Sequence, residues 1–390
     1  MELYSFNLNL NASIKGTNGA PPISTIDAIK WAASAGFKAV DITSYYLPGY
    51  NTYTMPTVPA AQIMAYADQI RTLTKQLGVR ISGTGVFNDF ADPDAARRAL
   101  DVQRVEFWTE VAARMGAPVM RVFSGKVPAD INTYGWADIT QTRIVPALQE
   151  VTAFAASKGV RIVLQNHGDM TATADQTIQM LRWVGNPDIS IIDDTGYFRP
   201  FQAPTGDGYD WYHDIAQVLP YSRSIQVKQK PAGEGTSTPM DLPRLFTDMR
   251  LTDYRGFIPL EMLWVPTDPG YPKTLSTPPF DQITTFQQQV NAALAQTRTS
   301  PFVDLDTAID RFASTGQLSG PLRQQLDETV RAAADHFHNG QPRDAMTRMS
   351  NFLARVANPG QHSHISPAAQ QALTQQMTDL LTSFTDVFGQ

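Results

Sequence analysis

Between residues 3 and 296, short apolar runs alternate with longer stretches of helical periodicity, and the alternation repeats eight times. No other property of the chain constrains its fold as much. The runs are Leu3 to Leu10, Ala39 to Thr43, Arg80 to Val86, Val119 to Phe123, Arg161 to Leu164, Ile189 to Ile192, Ser224 to Val227 and Phe257 to Leu260. Between them apolar residues recur three and four apart, as Ile63, Tyr66, Ile70, Leu73 and Leu77 do, which is the stripe of an amphipathic helix. Gly36, Gly78, Gly116, Gly159 and Gly256 stand just before the next run, where a helix is expected to stop. Strand-helix units repeated in this way predict an α/β fold, a (β/α)8 barrel over residues 1–297, rather than an open sheet.

The pattern then changes. Thr299, Ser300 and Pro301 mark a short linker at 298–302. Beyond it only helical spacing remains, in sets such as Leu322, Leu326, Val330 and Leu373, Met377, Leu381, with Gly- and Pro-rich turns between. Residues 303–390 are therefore expected to form a small all-α helical domain.

Composition narrows the function. A net charge of -6, without a cluster of Lys and Arg, excludes the footprint of a nucleic-acid binder. No apolar run reaches the ~18 residues that span a bilayer, and the stretch Met-Glu-Leu-Tyr-Ser-Phe has neither the basic nor the apolar region expected of an export signal. There is no Cys, and of six His only His167 and His213 precede residue 300. A metal site in the first three quarters must rest mainly on oxygen ligands, which suits Mg, Mn or Ca better than a His-rich zinc site.

Active sites of such barrels lie at the carboxyl ends of the strands. The fifth run ends in Gln165-Asn166-His167, the sixth in Asp193-Asp194-Thr195-Gly196-Tyr197, the seventh in Gln226-Val227-Lys228 and the eighth in Glu261-Met262-Leu263-Trp264. Each puts an oxygen-bearing side chain where an apolar interior should continue, and an unpaired buried polar group costs roughly 1 to 3 kcal/mol. One divalent cation shared by Gln165, Asp194, Gln226 and Glu261 would satisfy all four. Asp193 competes with Asp194 for the ligand role; the following Thr-Gly favours Asp194. The strand period of two turns His167 the same way as Gln165 and Lys228 the same way as Gln226, toward the mouth. There His167 is either a catalyst or a hydrogen-bonded neighbour, and Lys228 either meets substrate or pairs with an acid. Arg121, ending the fourth run, reads as a substrate clamp. Tyr197 and Trp264 are either platforms for a sugar ring or closures of the barrel top.

These motifs resemble those of the xylose isomerase-like TIM barrels, which include sugar isomerases and epimerases and the type 2 AP endonucleases. The family's Asn-His, Asp-x-Gly, His-or-Gln-x-Lys and apolar-Glu elements fall in order on Asn166-His167, Asp194-Thr195-Gly196, Gln226-Val227-Lys228 and Leu260-Glu261. The resemblance implies one divalent metal, commonly Mn or Mg, on Gln165, Asp194, Gln226 and Glu261, and a small carbohydrate as substrate. The DNA-repair branch, with its trinuclear zinc site, needs more His than two. Two departures stand out: Gln165 replaces the Glu of ketose epimerases and cannot accept a proton, and Gln226 replaces the more frequent His. Residues 303 to 387, with Gly316-Gln317-Leu318-Ser319 and Gly360 through Ile365-Ser366, resemble the FIVAR or FIMAH helical modules of secreted carbohydrate-active enzymes. That implies a secreted mature form; a cytoplasmic enzyme with a helical lid is the alternative.

The expected activity is metal-dependent isomerisation or epimerisation of a sugar. Glu261 would move a proton alpha to a carbonyl, and Lys228 or His167 would stabilise the enolate oxygen. A lyase or dehydratase acting on a keto sugar is the rival, since Gln165 removes the second base. A carbohydrate-binding barrel without catalysis is the reading from another class.

Overall fold

The computed structural model describes residues 1–16, 20–198, 210–229, 239–262, 277–297 and 300–389. Trp264 and Thr299 lie outside the described residues. The elements run α1 (Asn7–Lys15), α2 (Thr25–Ser34), β1 (Ala39–Thr43), α3 (Ala60–Leu77), β2 (Arg80–Gly85), α4 (Ala95–Met115), β3 (Val119–Phe123), α5 (Ile131–Ile139), α6 (Val145–Ser157), β4 (Arg161–Gln165), α7 (Ala174–Val184), β5 (Ile189–Asp194), α8 (Trp211–Val218) and β6 (Ser222–Lys228). They continue as α9 (Leu242–Leu251), β7 (Leu260–Glu261), α10 (Phe280–Gln296), α11 (Pro301–Ser314), β8 (Leu318–Ser319), α12 (Pro321–His338), α13 (Pro342–Ala357), β9 (His364–Ile365) and α14 (Pro367–Phe388). Two compact units result: Met1–Met240 with Arg255–Gln287, and Asp241–Tyr254 with Gln288–Gln390.

In the first unit β1 to β7 pair in sequence order, all parallel. Parallel strands joined by helices are covered on both faces, so Ile162, Val163 and Leu164 in β4 are all fully buried. Local chemistry sets the helix ends. Ser24 and Thr173 accept hydrogen bonds from the amides of Asp27 and Gln176 at the starts of α2 and α7, and left-handed Gly78, Gly116 and Gly185 end α3, α4 and α7.

Leu3 to Leu10, expected as the first strand, is instead a 3-10 turn over Leu3–Phe6 running into α1. Leu3, Phe6 and Leu10 are all fully buried, at offsets of three and four, so the run carries helical spacing and not alternation. The eighth place in the barrel is filled one step earlier. Glu2 N donates to Leu260 O (2.9 Å), Asp41 N donates to Met1 O (2.8 Å), and Glu2 bridges Asp41 in parallel. Met1 and Glu2 thereby join the two edges of the seven-stranded sheet, and the expected fifth to eighth strands become β4 to β7.

Among its described residues the second unit holds helices, turns and the two-residue antiparallel pair β8–β9. Leu322, Leu326, Val330, Met349, Phe352, Leu373 and Met377 form one apolar core. α9 belongs to it: Leu251 joins that core, and the Arg244 guanidinium meets the Asp386 carboxylate on α14 through two hydrogen bonds of 2.7 Å. The expected start of the helical domain at 303 thus lies inside this unit, which also takes in residues from before the linker.

Candidate active site

Side chains past the ends of β4 and β5 take over where strand pairing stops, and they set the heights of the groups that follow. Asn166, fully buried, donates from Nδ2 to Asp194 O (2.8 Å) and accepts from Asp194 N (2.7 Å). Thr195 pins β5 to β6: its N and Oγ1 both donate to Gln226 O at 3.2 Å, and Oγ1 accepts from Lys228 N at 3.0 Å. The β6–β7 register then sets Lys228 beside Glu261.

The result is a buried polar cluster centred on Lys228. Its Nζ hydrogen-bonds to Glu261 Oε2 and lies 3.1 Å from Asp194 Oδ2. The same Asp194 oxygen accepts from Gln165 Nε2 at 2.5 Å, Asp194 Oδ1 accepts from Gly196 N at 3.0 Å, and Gln165 Nε2 reaches Gln226 Oε1 at 3.3 Å. Gly196 leaves room for the lysine stem, since a Cβ there would meet Lys228 Cγ at 2.9 Å. Burial raises Glu261, with Lys228 opposing, to about 7, and raises Asp194 against the pull of the same ammonium. Burial also acts to lower Lys228, but the two carboxylates outweigh it and hold its value above the ordinary one. Asp193 faces away from this cluster, as alternation along β5 requires. It is fully buried, and among the described residues neither carboxyl oxygen has a hydrogen-bond partner.

A cavity of about 780 Å³ opens beside the cluster, with Gln165, Gln226, Lys228 and Glu261 in its lining. That size suits a small-molecule ligand. Arg121 lies in the wall between aromatic rings, its Cζ 4.3 Å from the centre of Phe123 and 5.5 Å from that of Tyr45, with Nη1 donating to Tyr45 Oη (3.2 Å) and Val86 O (2.7 Å). Gly85 permits this, because a Cβ there would stand 2.6 Å from Arg121 Nε. His167 and Tyr197 line the cavity as a stacked pair with ring centres 3.9 Å apart. Burial, then the charges of Lys228 and Arg121, push the His167 imidazole down to about 3. His167 is therefore neutral in the physiological range and carries no proton to donate as an imidazolium.

Of the residues singled out in the sequence, Gln165, Asp194, Gln226, Lys228 and Glu261 come together, and Arg121, His167 and Tyr197 line the adjoining cavity. Glu2, Asp41, Tyr45 and Tyr46 line it too and were missed. Tyr45 follows β1 as directly as His167 follows β4, and Tyr46 is the next residue, so the strand-end rule would have found them. Glu2 was hidden by the misplaced first strand. Its Oε1 accepts from Tyr4 N (3.1 Å) and Thr43 Oγ1 (2.9 Å). Burial, then the charges of Asp41 and Glu261, raise its carboxyl well above the ordinary value, toward the acid form.

A closed parallel barrel with acid, base and cation gathered at one end of its strands has the architecture of a (β/α)8 enzyme. The chain belongs to the xylose isomerase-like TIM barrel family, whose model matches residues 29–277, and residues 302–382 match the FIMAH domain. Similar solved structures include an L-ribulose 3-epimerase (14% identity, TM-score 0.56, 76% of this chain and 94% of that one). The apo 3-keto-D-glucoside 4-epimerase YcjR from E. coli is another (13% identity, TM-score 0.51, 72% and 97%). The IOLI protein with a binding zinc atom is a third (12% identity, TM-score 0.55, 76% and 97%). At such identities the likeness shows the fold. The chain has no match among curated protein sequences.

The family resemblance directs a divalent ion to Gln165, Asp194, Gln226 and Glu261. Their arrangement does not fit one. The space between the two carboxylates is taken by the Lys228 ammonium, bonded to both. Gln165 turns its NH2, a donor with no lone pair to offer a metal, toward Asp194 and Gln226; its buried carbonyl oxygen Oε1 points elsewhere and has no hydrogen-bond partner among the described residues. A metal held at the ~2.0–2.6 Å of oxygen ligation by both carboxylates would press against the ammonium, and like charges at such range in a buried site repel strongly.

Proposed function

We propose that this barrel is a carbohydrate isomerase or epimerase that moves a proton on the carbon next to a carbonyl. The single observation that carries the reading is the buried pair of Glu261 and Lys228, base beside cation, on the wall of a cavity at the strand ends with room for a sugar. Glu261, held near neutrality by burial, takes the proton from carbon. The electron pair moves to the carbonyl oxygen, where the Lys228 ammonium donates a hydrogen bond to the developing enolate. Arg121 and the neutral His167 fix hydroxyl groups of the substrate. The similarity to an L-ribulose 3-epimerase and a 3-keto-D-glucoside 4-epimerase supports a ketose or keto-glycoside as substrate class. The family's divalent ion, Mn or Mg by resemblance, has no step in this scheme.

Glu2 bears on the choice between isomerase and lyase. Gln165 removes one carboxylate that could return a proton, but Glu2 brings another carboxyl to the cavity, biased toward its acid form. A second proton carrier is what epimerisation needs and a simple elimination does not.

The test is incorporation of solvent deuterium into ketoses and keto-glycosides, followed by NMR, with ultraviolet detection of an enone run in parallel. Exchange at the carbon next to the carbonyl, lost in Glu261→Gln, is the expected result. Enone without exchange would make the protein a lyase, and sugar binding with neither would leave a binding barrel.

A further inference from the structure

We infer that Lys228 is the resident cation of this site and that it occupies the place of a divalent metal, so that the barrel works without one. This deepens the function proposed above and rests on that reading only for its chemistry; the occupancy claim stands on geometry alone. Three observations carry it. The ammonium is within ion-pair distance of both buried carboxylates, Asp194 and Glu261. The other two oxygen-bearing side chains at this level are amides, and Gln165 uses its NH2 to donate to Asp194 and Gln226. An amide that donates to a carboxylate reinforces a cluster organised around protons, whereas metal ligands present only lone pairs to the centre. Finally, the lysine is built into this position. Its backbone amide is tied to Thr195 Oγ1 at 3.0 Å, and its stem passes over Gly196, where any larger residue would collide.

The charges agree. With both acids ionised, two carboxylates and one ammonium leave the cluster at -1, and any protonation of Glu261 makes it less negative still. Adding a divalent ion while Lys228 stays would bury a net positive charge instead. In solution the side chain thus excludes divalent ions, and it presents to a substrate carbonyl a hydrogen-bond donor where a metal would present a Lewis acid.

The experiment is a manganese binding measurement in the absence of sugar, so that it succeeds or fails independently of which reaction the enzyme performs. Full-length wild type and Lys228→Ala are stripped with chelator, checked for an unchanged circular dichroism spectrum, and titrated with MnCl2 by electron paramagnetic resonance and calorimetry. Wild type is expected to take up no stoichiometric Mn and to melt at the same temperature with Mn or chelator. Lys228→Ala, with the carboxylates now facing an open space, is expected to bind about one Mn per chain at least about a hundredfold tighter, because a like charge has been removed from contact range, and to melt higher in its presence. Lys228→Gln, which keeps an amide donor for the carboxylates, serves if the alanine variant does not fold. Equal binding by wild type and variant, whether at one equivalent or at none, would overturn the proposal.

Discussion

At the scale of single residues the site is governed by which groups burial leaves charged. Glu261 is raised to about 7 by burial, and its base form grows as pH rises through that value. The rate of proton exchange should therefore climb with pH up to about 7 and level off above it, and Glu261→Gln should lower it by roughly 10²–10⁴-fold at all pH, the usual worth of a positioned base. Asp193 makes the opposite kind of prediction, one of stability. Burial, then the charges of Asp194 and Asp214, raise it well above its ordinary 3.8, so the folded state holds this proton more tightly than the unfolded chain. Its favourable contribution is complete below about pH 4 and is lost as pH rises through the raised folded value. Asp193→Asn should thus melt above wild type at pH 8, by on the order of 1–3 kcal/mol of stability, with the gap closing in acid. Thermal melts across pH check it; a constant gap would mean that the carboxyl has found a partner.

Elements are where the sequence reading was most and least reliable, for a physical reason in each case. Runs in β1 to β6 are bounded by helices with clear stops, and strands buried on both faces read as unbroken apolar stretches. Leu3 to Leu10 is also rich in apolar residues, but its buried positions fall three and four apart, and it forms a turn and a helix. A short apolar stretch does not by itself tell strand from helix. α9 shows a second limit. As a barrel-type helix it reads like its neighbours, yet its Arg244 pairs with Asp386 and its Leu251 enters the helical core. Removing one member of this pair forfeits its two charge-assisted hydrogen bonds, each of a kind worth about 1.5–3 kcal/mol. Arg244→Ala should therefore cost about 2 kcal/mol, read by chemical denaturation of the full chain, and Asp386→Ala should cost a similar amount.

For the whole molecule the consequence is that the helical unit draws on two stretches of chain, α9 between β6 and β7 and the residues from 288 on. A chain ended at residue 297 keeps α9 but loses the residues that hold Arg244 and surround Leu251. Its melting temperature is expected to fall by on the order of 5 °C, as calorimetry of the two chains would show. An unchanged melt would mean that α9 is stable without its helical partners. The same scale explains what was hidden about the site. The motifs at the ends of β4 to β7 could be found one strand at a time, because each is a polar residue following an apolar run. Their mutual relations could not. Whether Lys228 meets substrate or an acid depends on the β6–β7 register and on the space over Gly196. Glu2 enters the cavity only because the barrel closes through residues 1 and 2.

The sequence by itself determined the architecture, the helical region and the identity of the polar strand ends, because periodicity and local turn chemistry are properties of neighbouring residues. Only the tertiary structure decided which cation sits among them. Asp194, Lys228 and Glu261 lie on three different strands, and a buried charge is settled by what surrounds it in space rather than along the chain.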